Sequence, residues 1–197
     1  MKLSLGRSLT TLAVAAGLTL AAAGPAVAQS HTHLDARGDV TAYSMQTEEE
    51  APAPNVKNGD IVRTALHHRQ HRIAVRIKFV DLRRVGFRGD GIRVVTNEGV
   101  RREVTTFASP GMWRGEAEMM RPNGNPVDCD IKLGMDYDKN VVTVSFPRKC
   151  VSDPRWVRIG VGSFWAQMEA EKAFMDDAQR DGKVYENLRL SPRLKRG

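Results

Sequence analysis

From Asp60 onward, apolar and polar residues alternate with a period of two. Within residues 72–82, Ile73, Val75, Ile77 and Phe79 fall on one side of an extended chain, and Ala74, Arg76, Lys78 and Val80 on the other. That is the pattern of a half-buried strand. Residues 61–68 precede it with Val62, Thr64 and Leu66 on one side, and the polar His68-Arg69-Gln70-His71 between the runs predicts an antiparallel hairpin. Further short runs cover 91–96, 100–107, 131–137, 141–146 and 156–164, separated by Gly, Pro, Asn and Asp clusters. The expected fold is all-β, an antiparallel sandwich of jelly-roll or immunoglobulin-like type. One short helix is expected within 166–180, where Met168, Ala170, Ala173, Phe174 and Ala178 supply an apolar side. The tail beyond Gly182 is expected to pack on the sandwich as extended chain or to hang partly free.

The chain ahead of this pattern is different. Residues 1–28 read as a secretory leader: Lys2 and Arg7 precede an apolar run over 9–23, and Ala26-Val27-Ala28 is a small-residue cleavage site before Gln29. The apolar run is shorter than the ~20 residues that span a bilayer as a helix, so secretion without a membrane span is expected. Residues 29–58 then form an N-terminal segment: a loose polar start, a short strand near 38–44, and an acidic, proline-rich linker over 47–57 with Ala51-Pro52-Ala53-Pro54. The expected organisation is leader 1–28, N-terminal segment 29–58, sandwich 59–165, and helix with tail 166–197. Of 197 residues, 30 are Lys or Arg and 23 Asp or Glu, a net of +7. Removing the two basic residues of the leader leaves +5, weak support for an anionic partner.

The two cysteines exclude a disulfide-dense miniprotein and an all-cysteine zinc site within one chain. A two-residue turn at Lys139-Asn140 places Leu133 opposite Phe146, Met135 opposite Val144 and Tyr137 opposite Val142. The other face pairs Asp136 with Thr143 and Asp130 with Lys149, and the same register sets Cys129 directly opposite Cys150. A Cys129–Cys150 disulfide follows, in a non-hydrogen-bonded pair with Cα atoms about 4.5 Å apart. Lys-Asn is a poor two-residue turn, and a bulge at Asn140 would shift the pairing.

Candidate chemistry is sparse. Cleavage after Ala28 starts the chain at Gln29-Ser30-His31, whose amine, two amides and imidazole can enclose Cu(II) or Ni(II) in a square plane. His67, His68 and His71 gather at the predicted hairpin turn, and a solvated turn is the expectation. Asp136-Tyr137-Asp138-Lys139-Asn140 opens like an EF-hand loop, but Val141 and Pro147 stand where its glycine and glutamate belong. Spacing gives no support for calcium on loop carboxylates such as Asp81, Asp90 or Asp128. Asp176 and Asp177 are expected at the surface, like Glu116 and Glu118. No nucleophile elbow, zinc-binding helix motif or phosphate loop is present. Arg83, Arg84, Arg88, Arg101, Arg102, Arg114 and Arg121 would make an anion-binding patch if they converged at one end of the sandwich, but a solvated surface balanced by scattered acids is the expectation. Trp113, in Ser109-Pro110-Gly111-Met112-Trp113-Arg114-Gly115, is a candidate sugar-binding aromatic with Arg114 beside it.

Gly59-Asp60-Ile61, the run Ala74-Val75-Arg76-Ile77-Lys78-Phe79-Val80-Asp81-Leu82, and Pro154-Arg155-Trp156-Val157-Arg158 resemble secreted bacterial β-sandwich proteins of unknown function. Over residues 59–165 the chain is also similar to carbohydrate- and haem-binding sandwich modules. The resemblance implies a fold and carries over no ligand residue. The expected function is a secreted, non-catalytic binding or envelope-associated sandwich whose partner is an extracellular glycan or anionic wall polymer. No cofactor and no nucleic acid are expected. An exported hydrolase, or metal capture by Gln29, Ser30 and His31, are the alternatives.

Overall fold

The computed structural model describes residues 29–182, 184 and 187–197; the expected leader lies outside them. Thirteen strands are described: β1 (Gln29–Leu34), β2 (Thr41–Ser44), β3 (Glu50–Pro52), β4 (Ile61–His68), β5 (Arg72–Phe79), β6 (Phe87–Thr96), β7 (Arg101–Ala108), β8 (Glu116–Met120), β9 (Lys132–Asp136), β10 (Val141–Pro147), β11 (Trp156–Gln167), β12 (Lys172–Asp177) and β13 (Leu194–Lys195). They form an antiparallel sandwich. One sheet has the order β1-β4-β5-β10-β9 and the other β3-β2-β12-β11-β6-β7-β8, with β13 added to β11. The core is the interdigitated inner faces. Leu66, Ile73, Val75, Ile77, Phe79, Val142, Val144 and Phe146 come from the first sheet, and Ile92, Val94, Val104, Met119, Val157, Ile159 and Val161 from the second. The period-two pattern thus becomes burial directly, and the predicted β4–β5 hairpin forms around the expected turn.

Residues 59–165 do not complete the sandwich alone. The N-terminal stretch expected to be loose is β1, paired along β4 from Gln29↔His68 to Leu34↔Arg63. The middle of the expected linker is β3, where Pro52 is tolerated because the strand sits at a sheet edge. The expected helix is a strand pair. β11 runs on to Gln167, turns through a short 3-10 segment with Glu171 left-handed at φ 49°, and returns as β12. The apolar residues read as a helix face serve the ladder instead: Ala166 stands opposite Ala173, and the rings of Trp165 and Phe174 stack at 4.7 Å. A weak helical period yields to tertiary pairing.

The β9–β10 hairpin forms two residues out of the expected register. Leu133 faces Val144 and Met135 faces Val142, around a four-residue connection over 137–140. Asn140 takes φ 53°, its Oδ1 accepting from Leu82 N (2.9 Å), and Asp136 Oδ1 accepts from Lys139 N (2.9 Å). A slip of two keeps every side chain on its face, so the apolar pairing survives the changed register. The cysteines then meet outside the ladder. Cys150 lies in a 3-10 turn (Arg148–Val151), and the Cys129–Cys150 disulfide has Cα atoms 5.8 Å apart, wider than a direct strand pair. Asp130 pairs with Arg72 (2.9 Å), not Lys149.

The disulfide bridges a sequence separation of 21, worth roughly 3 kcal/mol in the chain-entropy model. Urea unfolding of the Cys129→Ala/Cys150→Ala double variant should show a loss near that size. An unchanged midpoint would mean that the surrounding packing alone holds these segments.

Candidate functional site

The predicted site residues separate into several places. Trp113 is half-buried in the turn between β7 and β8, its ring edge-on to Tyr137 at 6.3 Å, while Arg84 lies over the Tyr137 ring at 4.5 Å. It is one member of an aromatic–cation group at that end of the sandwich, with Arg114 exposed beside it. The arginines do not form one patch. Arg88 is buried inside, bonded to Asp90 at 2.6 Å and over the Phe79 ring at 4.8 Å, and Arg83 pairs with Asp81. Arg101 stands opposite Val95 at the far end of β6 from Arg88, because alternation and strand direction decide where each points.

His67 and His68 point to opposite faces, as expected, but His68 is fully buried rather than solvated. Its Nδ1 lies 2.9 Å from the Leu194 carbonyl, which assigns the proton to Nδ1 and ties β4 to β13. Burial lowers its pKa, opposed by that carbonyl and reinforced by Arg148 and Arg196. Gln29, Ser30 and His31 lie along β1; the Gln29 side chain accepts from Lys195 N, and the His31 and His33 rings stack at 6.4 Å.

Two other arrangements were hidden from sequence reading. The first is a group of carboxylates beneath the start of β4. Asp35 and Asp39 come from the β1–β2 connection, Asp60 immediately precedes β4, and Asp176 projects inward from β12. Ligand oxygens of Asp39, Asp60 and Asp176 all lie within 4.8 Å of one another, as do those of Asp35, Asp39 and Asp181. Asp60 and Asp176 are buried, and the Asp35 side chain has no exposure. Burial, followed by Asp176 and Asp39, pushes Asp35 up to about 9. Burial also pushes Asp176 up to about 8 and raises Asp39 and Asp60. Asp176 and Asp177 are both buried, against the surface expectation. Of these residues only the pair Asp176-Asp177 is adjacent in sequence; the others converge through the fold.

The second is the outer face of the second sheet. Arg158 of β11 and Arg101 of β7 flank Val95 of β6, so their Cα atoms are two strand spacings, about 10 Å, apart. Arg93 stands nearby, bonded to Glu103 (3.4 Å) and Asn187 (2.6 Å), in an open groove of about 560 Å³ edged by Leu188 and Leu190. Further along the same face, Phe164 and Phe107 flank Gly89 in the same way, and Phe87 lies 6.0 Å from Phe107. All three phenylalanines are more than a third exposed.

No protein-family model matches the chain, and no curated protein or solved structure shows significant similarity to it. Among the described residues no helix is long and apolar enough to cross a membrane.

A histidine whose folded pKa is lowered stabilises fully above its unfolded value, about 6.5, and loses that contribution as the pH falls through the folded value. The stability gap between the wild type and His68→Gln should therefore shrink between pH 7.5 and pH 5 in urea unfolding. A gap of equal size at both pH values would show that His68 does not titrate on unfolding.

Proposed function

We propose that this is an exported, non-catalytic sandwich that binds an anionic polysaccharide across the outer face of its second sheet. The observation that carries the reading is the pairing of two kinds of surface on one face: an arginine row around Val95 and a phenylalanine row around Gly89. The two centres are six residues apart on β6, about 20 Å. Exposed aromatic rings offer apolar surface for the faces of sugar rings. Arg101 offers a forked donor for carboxylate or phosphate groups, while Arg93 and Arg158, bonded to Glu103, Asn187 and the tail carbonyls of Ser191 and Leu190, add positive charge beside it. Leu188 lies between the rows and continues the apolar surface, since the bare backbones of Gly91 and Gly162 admit it closely. Export is supported by the leader pattern and by a disulfide, which persists in oxidising compartments. The basic surplus of the chain without its leader favours the same class of ligand.

The test uses polygalacturonate as the anionic probe and dextran as the neutral one. Calorimetric titration of residues 29–197 should show binding to polygalacturonate that weakens with added salt, and none to dextran. Reversing the exposed Arg101 to Glu should weaken it about fivefold, the equivalent of roughly 1 kcal/mol. Phe107→Ala should weaken it as well. Equal binding to both polymers, or binding abolished by Trp113→Ala and untouched by Arg101→Glu, would overturn the reading.

A further inference from the structure

We propose that Asp39, Asp60 and Asp176, with Asp35 beside them, form a binding site for a hard divalent cation of the Ca²⁺ type. The decisive detail is how their oxygens are used. Asp39 accepts from Gly182 N (3.2 Å), Asp60 from Gly38 N (2.9 Å) and Asp176 from Ile61 N (2.7 Å), each through Oδ2. In all three, the other oxygen, Oδ1, is buried with no hydrogen-bond partner, and at Asp35 both oxygens are. Three backbone amides therefore aim three carboxylates, and one oxygen of each lies within 4.8 Å of the others.

Other buried carboxylates in the same molecule are treated differently. Asp177, also wholly buried, accepts from the backbone amides of Gln179 (3.3 Å) and Arg189 (3.0 Å) and has Arg180 at 3.6 Å. Asp90 is matched by Arg88 and Thr106. The cluster has His33 at 4.0 Å from Asp35, with Arg37 acting on Asp60 from further away. Buried carboxylates without cations or donors are costly, so they hold protons until something positive replaces them. A dication would supply the missing charge and coordinate the bare oxygens in one step. The donor set is all oxygen, without histidine or cysteine ligands, which selects Ca²⁺ or a similarly hard ion over Zn²⁺. A donor set of carboxylates alone suits Ca²⁺ better than Mg²⁺, which demands a near-ideal octahedron and keeps its water.

The site joins distant parts of the chain: the β1–β2 connection, the entry to β4, β12 and, through Gly182, the segment after β12. Occupancy would hold both ends of the sandwich chain to its middle. The ion here is structural, and the binding face described above does not depend on it.

The experiment takes residues 29–197 stripped with EDTA and dialysed, then follows Tm and calorimetric binding on adding CaCl₂, MgCl₂ or ZnCl₂. Ca²⁺ at about a hundredfold its Kd should raise Tm by about 5 °C or more, reversibly with EDTA. Asp39→Asn and, separately, Asp35→Asn should weaken Ca²⁺ binding at least tenfold, and Glu118→Gln, at an exposed position, should not. Should one variant fail to fold, the wild-type titration and the other variant decide. No Tm shift or heat with Ca²⁺ at millimolar concentration, or unchanged affinity in a folded Asp39→Asn, would overturn the proposal. So would a stronger response to Zn²⁺ or Mg²⁺ than to Ca²⁺.

Discussion

The pairing of β11 with β6 is the constraint on which the rest of this molecule depends. The two strands match residue for residue over ten positions, from Val157↔Thr96 to Ala166↔Phe87. A ladder of that length admits no slip, because moving it by one residue would turn Val157, Ile159 and Val161 out of the core. On its other edge β11 takes β13 at its start and β12 at its end. Its outward positions at Gly160 and Gly162 have no side chains, and a Cβ at either would come within 3.0 Å of the Leu188 side chain. The tail can lie across the sheet only because those two residues are glycine. Leu194 then reaches the core, and its carbonyl meets His68 on the opposite sheet.

The same ladder decides where the interior stops being apolar. Proceeding along β11, the inward series Val157, Ile159, Val161 passes to Ser163, whose hydroxyl donates to Gly59 O. Alongside on β6, Ile92 passes to Asp90 and Arg88, and on β12 the position beside Ser163 is Asp176. One end of the sandwich is thus lined by charge. Within it, Arg88 and Asp90 neutralise each other, with Thr106 donating to the carboxylate and Phe79 under the guanidinium. Such a pair contributes little net stability against an apolar alternative, yet removing either member leaves an uncompensated charge costing about 3–5 kcal/mol. The carboxylates gathered around Asp176 have no comparable partner, and that contrast between two buried acidic groups a strand apart is what marks the second as a site.

The central strands were legible because each buries one face and therefore carries a strict alternation; β4 begins and ends where the pattern does. Edge strands were not. β1 and β3 are largely exposed and polar, so nothing in Gln29–Leu34 or Glu50–Pro52 separates them from loop until a neighbouring strand supplies the pairing. β12 was hidden for a different reason: Asp176, which faces the core, and Asp177, which the tail covers on the other face, are acidic and read as surface, and its apolar members match a helical period nearly as well. The disulfide was legible from a register that proved two residues off, because the constraint that truly brings the cysteines together is the 3-10 turn after β10. The arginine row illustrates the same limit. Arg88 and Arg101 look alike in sequence, and only strand parity and direction send one into the core and the other to the outer face.

Parity also explains why the two candidate sites occupy one sheet without interfering. On β11, odd residues face the core and even residues face out; on β6 the sense is reversed. Arg158 and Phe164 therefore present to solvent with Arg93 and Phe87, whereas Ser163 and Asp90 point inward toward the level of Asp176. The outer face gains a surface varied along its length, basic at one end and aromatic at the other. The inner face gains a polar end that the backbone amides of Gly38, Ile61 and Gly182 reach from three separate segments. These amides fix the carboxylates from behind, as outer-shell donors fix metal ligands generally. In Asp39, Asp60 and Asp176 one oxygen accepts from an amide and the other is buried without a hydrogen-bond partner. That division is the strongest structural reason to regard the cluster as built around a positive charge rather than merely left over from folding.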